Sequence, residues 1–167
     1  MSVARIKFIN DNIALAESVT QGSGIYPEVL LAQAIVESQA PVNGVYTPGA
    51  SKLAAVYKNY FGIKATPDWK GRSVNMKTRE FVNTYINGNF RVYDTKADSF
   101  RDYVKFLKSN PRYTAAGVFK AKTATEQMAA IAKAGYATDP NYAAVLTAIV
   151  KTVAIEIKKK VTPKPPL

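Results

Sequence analysis

Two glutamates have the type and setting to do chemistry, Glu37 in LLAQAIVESQ and Glu80 in KTREFVN. Glu37 ends a run that is almost wholly apolar. Seven positions, nearly two helical turns, separate it from Leu30, so its carboxylate extends a stripe otherwise suited to a core. Partial burial raises a carboxyl pKa. A place near the negative end of a helix dipole acts in the same direction. A glutamic acid held protonated near neutral pH is what general-acid cleavage of a glycosidic bond requires. Glu80 offers a second carboxylate, to activate water or to stabilise an oxocarbenium-like transition state. The plainer alternatives are an exposed glutamate at a helix end and a solvent-facing strand residue paired with Lys77 or Arg79.

The chain of 167 residues contains no cysteine and no histidine. This excludes disulfides, zinc–thiolate sites, imidazole metal ligands and Ser-His or Cys-His catalysis. There is no EF-hand calcium loop and no Walker-type phosphate loop. Hydrolytic chemistry then falls mainly to Asp, Glu, Lys or Tyr, or to a carboxylate-bound metal; the expectation is neither cofactor nor metal. Lys and Arg total 23 against 12 acidic residues, a net charge of +11. That balance suits an anionic partner: nucleic acid, anionic lipid or a bacterial wall. No helix-turn-helix, zinc-finger or RRM signature supports specific nucleic-acid binding. No apolar run is long enough to span a membrane. The N-terminus lacks the apolar core of a signal peptide, so export is expected by another route or with a signal already removed.

These residues need elements to position them. Ile6, Ile9, Ile13 and Ala16 share a face of a first helix over 3–19, with Ser2 as its N-cap. After the break TQGSGIYP, Pro27 opens the Glu37 helix. APVNGVYTPGAS reads as a loop, and SKLAAVYKNYFG as an amphipathic helix ending near Gly62. Residues 63–95 turn β-like, with a hairpin expected to turn at Asn87-Gly88-Asn89. Helices resume with Phe100, Tyr103, Val104 and Leu107 on one face. Thr123 to Glu126 has capping-box spacing. Asp139 and Pro140 are expected to start a last helix that turns Tyr142, Leu146, Ile149 and Val153 inward. The fold class is α+β: one domain over 1–161, mostly helical with a small inserted β-hairpin lobe, then a Pro/Lys-rich tail or linker end at 162–167. A cleft between body and hairpin would have Glu37 on one side and Glu80 on the other.

Tyr60, Phe61, Trp69, Phe90, Tyr93, Tyr113 and Tyr136 are the aromatics around this proposed cleft. Each alone suits a core; together they offer flat faces to sugar rings. Trp69, in ATPDWKGR, is loop-like and suited to contact.

Five blocks carry a resemblance: VLLAQAIVES, KNYFGIKATPDWKGRSV, KTREF, FRVYDTKADSFRDYVKFLKSNPRY and AGYATDPNYAAVLTAIV. In this order, over roughly residues 8–152, the chain resembles family 73 of the glycoside hydrolases, the peptidoglycan-cleaving β-N-acetylglucosaminidases. The resemblance implies a lysozyme-like fold and hydrolysis of the β-1,4 bond after N-acetylglucosamine. It implies Glu37 as general acid and Glu80 as second acidic group, unless the substrate's own N-acetyl group is the nucleophile. It implies a helping role for Tyr136 and a groove lined by Asn59 and Phe61; Trp69 and Tyr113 are further substrate-binding candidates. Two departures stand out. The family's Glu-Ser-Gly-Trp-Gly is here ESQAPVNG, followed by a longer loop, and the turn after Glu80 is stretched to FVNTYINGN.

The expected activity is therefore peptidoglycan hydrolysis outside the cytoplasm or in the cell wall, by a monomer that binds glycan strands and the anionic wall. The alternatives are a muramidase or lytic transglycosylase on the same scaffold, and a non-catalytic wall-binding or structural module.

Overall fold

The computed structural model describes residues 1–79, 85–161 and 166. Its centre is a mostly apolar helix that is buried on every side over two turns. In α2 (Pro27–Ser38) every residue from Val29 to Val36 is buried. Such a helix is stable only when surrounded, and α1 (Val3–Thr20), α6 (Ala124–Lys133) and α7 (Tyr142–Val161) pack around it. Pro27 occupies its first turn, where a missing N–H costs nothing. Ser2 caps α1, its hydroxyl accepting from Arg5 N at 3.3 Å. Thr123 caps α6. The returning Glu126 carboxylate bonds Lys122 N, one residue before the usual capping-box partner.

The expected helix through SKLAAVYKNYFG is only one turn, α3 (Lys52–Ala55). Lys58 adopts a left-handed φ of 58°. Asn59 N bonds back to Leu53 O and Lys58 N to Ala54 O, a nested pair that closes one residue wider than a Schellman stop. The expected loop after α2 is partly a hairpin, β1 (Ala40–Val42) with β2 (Val45–Thr47). Asn43 and Gly44, with φ of 49° and 78°, make its two-residue turn. The hairpin is tied to the end of α2, where Ser38 Oγ accepts from Gly49 N and Ser38 O from Ser51 N.

The β-lobe is β3 (Ser73–Arg79) antiparallel to β4 (Tyr85–Arg91). Asn87-Gly88-Asn89 is not its turn. These residues pair with Lys77, Met76 and Asn75 inside the ladder. Glu80, the expected second acidic group, lies outside the described residues. The lobe is joined to α4 (Lys96–Ser109) by Arg91, whose guanidinium meets Asp102 at 2.9 Å with both side chains nearly buried. Tyr93 Oη donates to the same carboxylate at 2.5 Å. After α5 (Pro111–Ala115) and α6, helix α7 starts at Tyr142, two residues later than expected, because Asp139 caps a turn through Asn141. Tyr142, Leu146, Ile149 and Val153 do face the core.

Candidate active site

Glu37 stands in the last turn of α2, half-buried where the apolar helix reaches the surface. The helix geometry puts Gln33 one turn behind it on the same face. Gln33 is fully buried. A buried carboxamide needs partners, and two tyrosines supply them. Tyr103 Oη donates to Gln33 Oε1, and Gln33 Nε2 donates to Tyr142 Oη at 2.9 Å. Tyr142 Oη in turn donates to Glu37 Oε1 at 2.7 Å. Four side chains from α2, α4 and α7 thus form one chain of hydrogen bonds that ends on the carboxylate.

The other carboxylate oxygen faces the loop after α3. A Cβ placed on Gly62 would lie 3.7 Å from Glu37 Oε2, and Gly62 has a φ of +65°. Asn59 shapes that loop. Its Nδ2 donates to Ile63 O and Arg91 O, both at 2.9 Å, and its Oδ1 accepts from Phe61 N and Ile63 N. Phe61 O accepts from Tyr136 Oη at 2.7 Å. The Tyr136 ring lies nearly parallel to that of Tyr142, with centroids 6.3 Å apart.

The phenols stay neutral. Burial, then the Glu37 carboxylate, pushes Tyr136 and Tyr142 well above their ordinary pKa. Burial does the same to Tyr103, helped by Tyr113 and Glu37. Neutral phenols retain the proton that each donates.

The expected site residues are distributed unevenly. Glu37 and Tyr136 are together at the site. Asn59, Phe61 and Tyr113 are buried, with 0%, 1% and 0% exposure. Their side chains meet protein rather than solvent. Asn59 spends its amide on backbone. Phe61 stacks on Tyr103 at 4.2 Å between centroids. Tyr113 packs against Phe106 and Tyr136. Trp69 is half-exposed, with Nε1 donating to Arg72 O and the Arg91 guanidinium over its ring at 4.6 Å. Tyr142 is expected from sequence only as an inward residue of the last helix, and Gln33 is not singled out there. One signal was available: Gln33 is the only other polar residue between Val29 and Glu37. Among the described residues, no group of three Asp or Glu is gathered as a metal would need.

Comparison with known proteins bears on the family and the fold. Residues 13–154 match the glucosaminidase family model, described as mannosyl-glycoprotein endo-β-N-acetylglucosaminidase. The peptidoglycan hydrolase FlgJ of Salmonella typhimurium is 37% identical over 139 residues, covering 81% of this chain and 42% of that protein. The solved glycoside hydrolase domain of that protein superposes with a TM-score of 0.66 at 34% identity, covering 96% of this chain and 93% of the domain. A probable N-acetylmuramidase of Lactococcus lactis is 40% identical over 153 residues, covering 86% of this chain and 32% of that protein. The catalytic domain of the autolysin Auto of Listeria monocytogenes gives a TM-score of 0.71 at 30% identity, covering 94% of this chain and 88% of that one. The chain spans less than half the length of these curated relatives. A mostly helical, lysozyme-like body with small antiparallel sheets, and a family match over most of its length, make this chain a member of the glucosaminidase family of glycoside hydrolases.

Proposed function

We propose that this chain hydrolyses the glycan strands of peptidoglycan, cutting the β-1,4 bond after N-acetylglucosamine, with Glu37 as general acid. The observation that carries the reading is the setting of Glu37. One oxygen accepts from Tyr142, and the other lies beside Gly62, where an added Cβ would stand 3.7 Å away. Proton donation to the departing oxygen is worth about 10²- to 10⁴-fold in rate. Glu80 is the proposed second acidic group, unless the substrate's N-acetyl group takes that role. The excess of Lys and Arg favours an anionic wall as partner. The substrate puts the site of action outside the cytoplasm.

Purified peptidoglycan is digested with wild type and with Glu37→Gln, and new ends are reduced with borohydride and identified by mass spectrometry. Reduced N-acetylglucosamine ends, absent with the variant, are expected. Persistent ends with Glu37→Gln overturn the acid assignment, and a silent Glu80→Gln removes Glu80. The second reading is cleavage of the other linkage, favoured by the Lactococcus relative named a probable N-acetylmuramidase. Reduced or anhydro-muramic ends would establish it.

A further inference from the structure

A general acid has two oxygens, and only one can carry its proton toward the substrate. The hydrogen-bond chain behind Glu37 decides which. A phenol has one proton, and a carboxamide has distinct donor and acceptor ends. Tyr103 gives its proton to Gln33 Oε1. The Gln33 amino group therefore turns to Tyr142 Oη, 2.9 Å away. With its oxygen accepting from Gln33, Tyr142 directs its own single proton to Glu37 Oε1 at 2.7 Å. That oxygen is thereby an acceptor and cannot also hold the acid proton along the same line.

Resting on Glu37 as the general acid, we infer that Gln33 is a positioning residue: acting through Tyr142, it assigns the acid proton to Glu37 Oε2, the oxygen beside Gly62. The opposite polarity would place the proton on Oε1, pointing into the protein along the Tyr142 bond. Reaching it requires the Gln33 amide to turn over, and the Tyr103 proton opposes that turn. Gln33 is fully buried, which leaves it no competing solvent partner. Polar burial at this point has a function that packing alone would not require.

The test is a double-mutant cycle on soluble glycan oligomers prepared from peptidoglycan, read as kcat and KM, with Glu37→Gln as reference. Tyr142→Phe is expected to lower kcat about ten- to hundredfold with KM within about twofold, as for loss of a charge-assisted bond. Gln33→Met should lower kcat about five- to thirtyfold. In the Tyr142→Phe background, Gln33→Met should cost less than about another twofold, because its route is already cut. Losses that multiply, or that fall on KM instead, overturn the positioning role. If Gln33→Met does not fold, Tyr103→Phe completes the same cycle while keeping its ring in the core. It is expected to lower kcat about three- to tenfold alone and to be silent with Tyr142→Phe. An active Glu37→Gln would defeat the acid reading itself. An inactive Glu37→Gln with multiplying losses defeats only the role of Gln33.

Discussion

The Tyr142 hydroxyl meets Glu37 Oε1 at 2.7 Å across 105 positions of sequence. The bond joins the first residue of α7 to the last turn of α2, so the packing of these two helices is part of the site's geometry. Glu37→Gln keeps the shape and removes the transferable proton. It should lower kcat by about 10²- to 10⁴-fold. Co-sedimentation with peptidoglycan and the thermal midpoint should stay near wild type.

Gly62 stands beside the other oxygen, with a φ of +65°. Gly62→Ala should destabilise by about 1–2 kcal/mol, because a side chain disfavours the left-handed region. Its methyl group would also stand 3.7 Å from Oε2, in ordinary contact, beside the oxygen from which the proposed acid would give its proton. A fall in kcat is expected together with a lower thermal midpoint. A stability loss with unchanged kcat would show that the leaving group approaches from elsewhere.

Asn59 separates a supporting role from a sugar-binding one. Its amide makes four bonds to backbone, and no part of it is exposed. Asn59→Leu should cost about 3 kcal/mol by orphaning buried backbone groups. Urea denaturation measures this. A raised KM with unchanged stability would instead return Asn59 to the groove.

Arg91 and Asp102 hold the β-lobe to α4 at 2.9 Å with little solvent on either side. Asp102→Ala leaves a nearly buried guanidinium without its partner and frees the Tyr93 hydroxyl. Removing one member of such a pair costs about 3–5 kcal/mol. Hydrogen exchange should quicken in β4 before it does in α2.

The phenols around Glu37 set an alkaline limit. Tyr103, Tyr136 and Tyr142 are held neutral, all raised well above 10, so the folded state binds more protons than the unfolded one above about pH 10. Their contribution is complete below that value and is lost as pH rises toward the folded pKa. The thermal midpoint should fall above about pH 10, with tyrosinate absorbance appearing together with unfolding. Tyr142→Phe should make the decline shallower.

Much was legible in local pattern. The apolar run of α2, Pro27 at its start, and the Ser2 and Thr123 caps follow from helical period and capping chemistry. The face of α4 follows from the same period. Each depends on residues within a few positions of one another, as does the alignment of Glu37 with the stripe. The five sequence blocks pointed to the family because the order of short motifs survives without knowledge of contacts. Turn placement was less secure. The Asn-Gly signal occurs twice, and only pairing across strands decided that Asn43-Gly44 turns while Asn87-Gly88 lies in a ladder. Lys58 stops α3 through two backbone bonds that no propensity predicts. The partners of Glu37 come from α7, and those of Gln33 from α4 and α7. Tyr142 and Tyr103 look in sequence like any inward aromatic, because a hydroxyl's partner is set by which helix packs opposite. Sequence by itself determined the central helix, the glutamate at its end and the family. Tertiary packing decided which side chains hold that glutamate, since hydrogen bonds act over 3 Å in space without regard to separation along the chain.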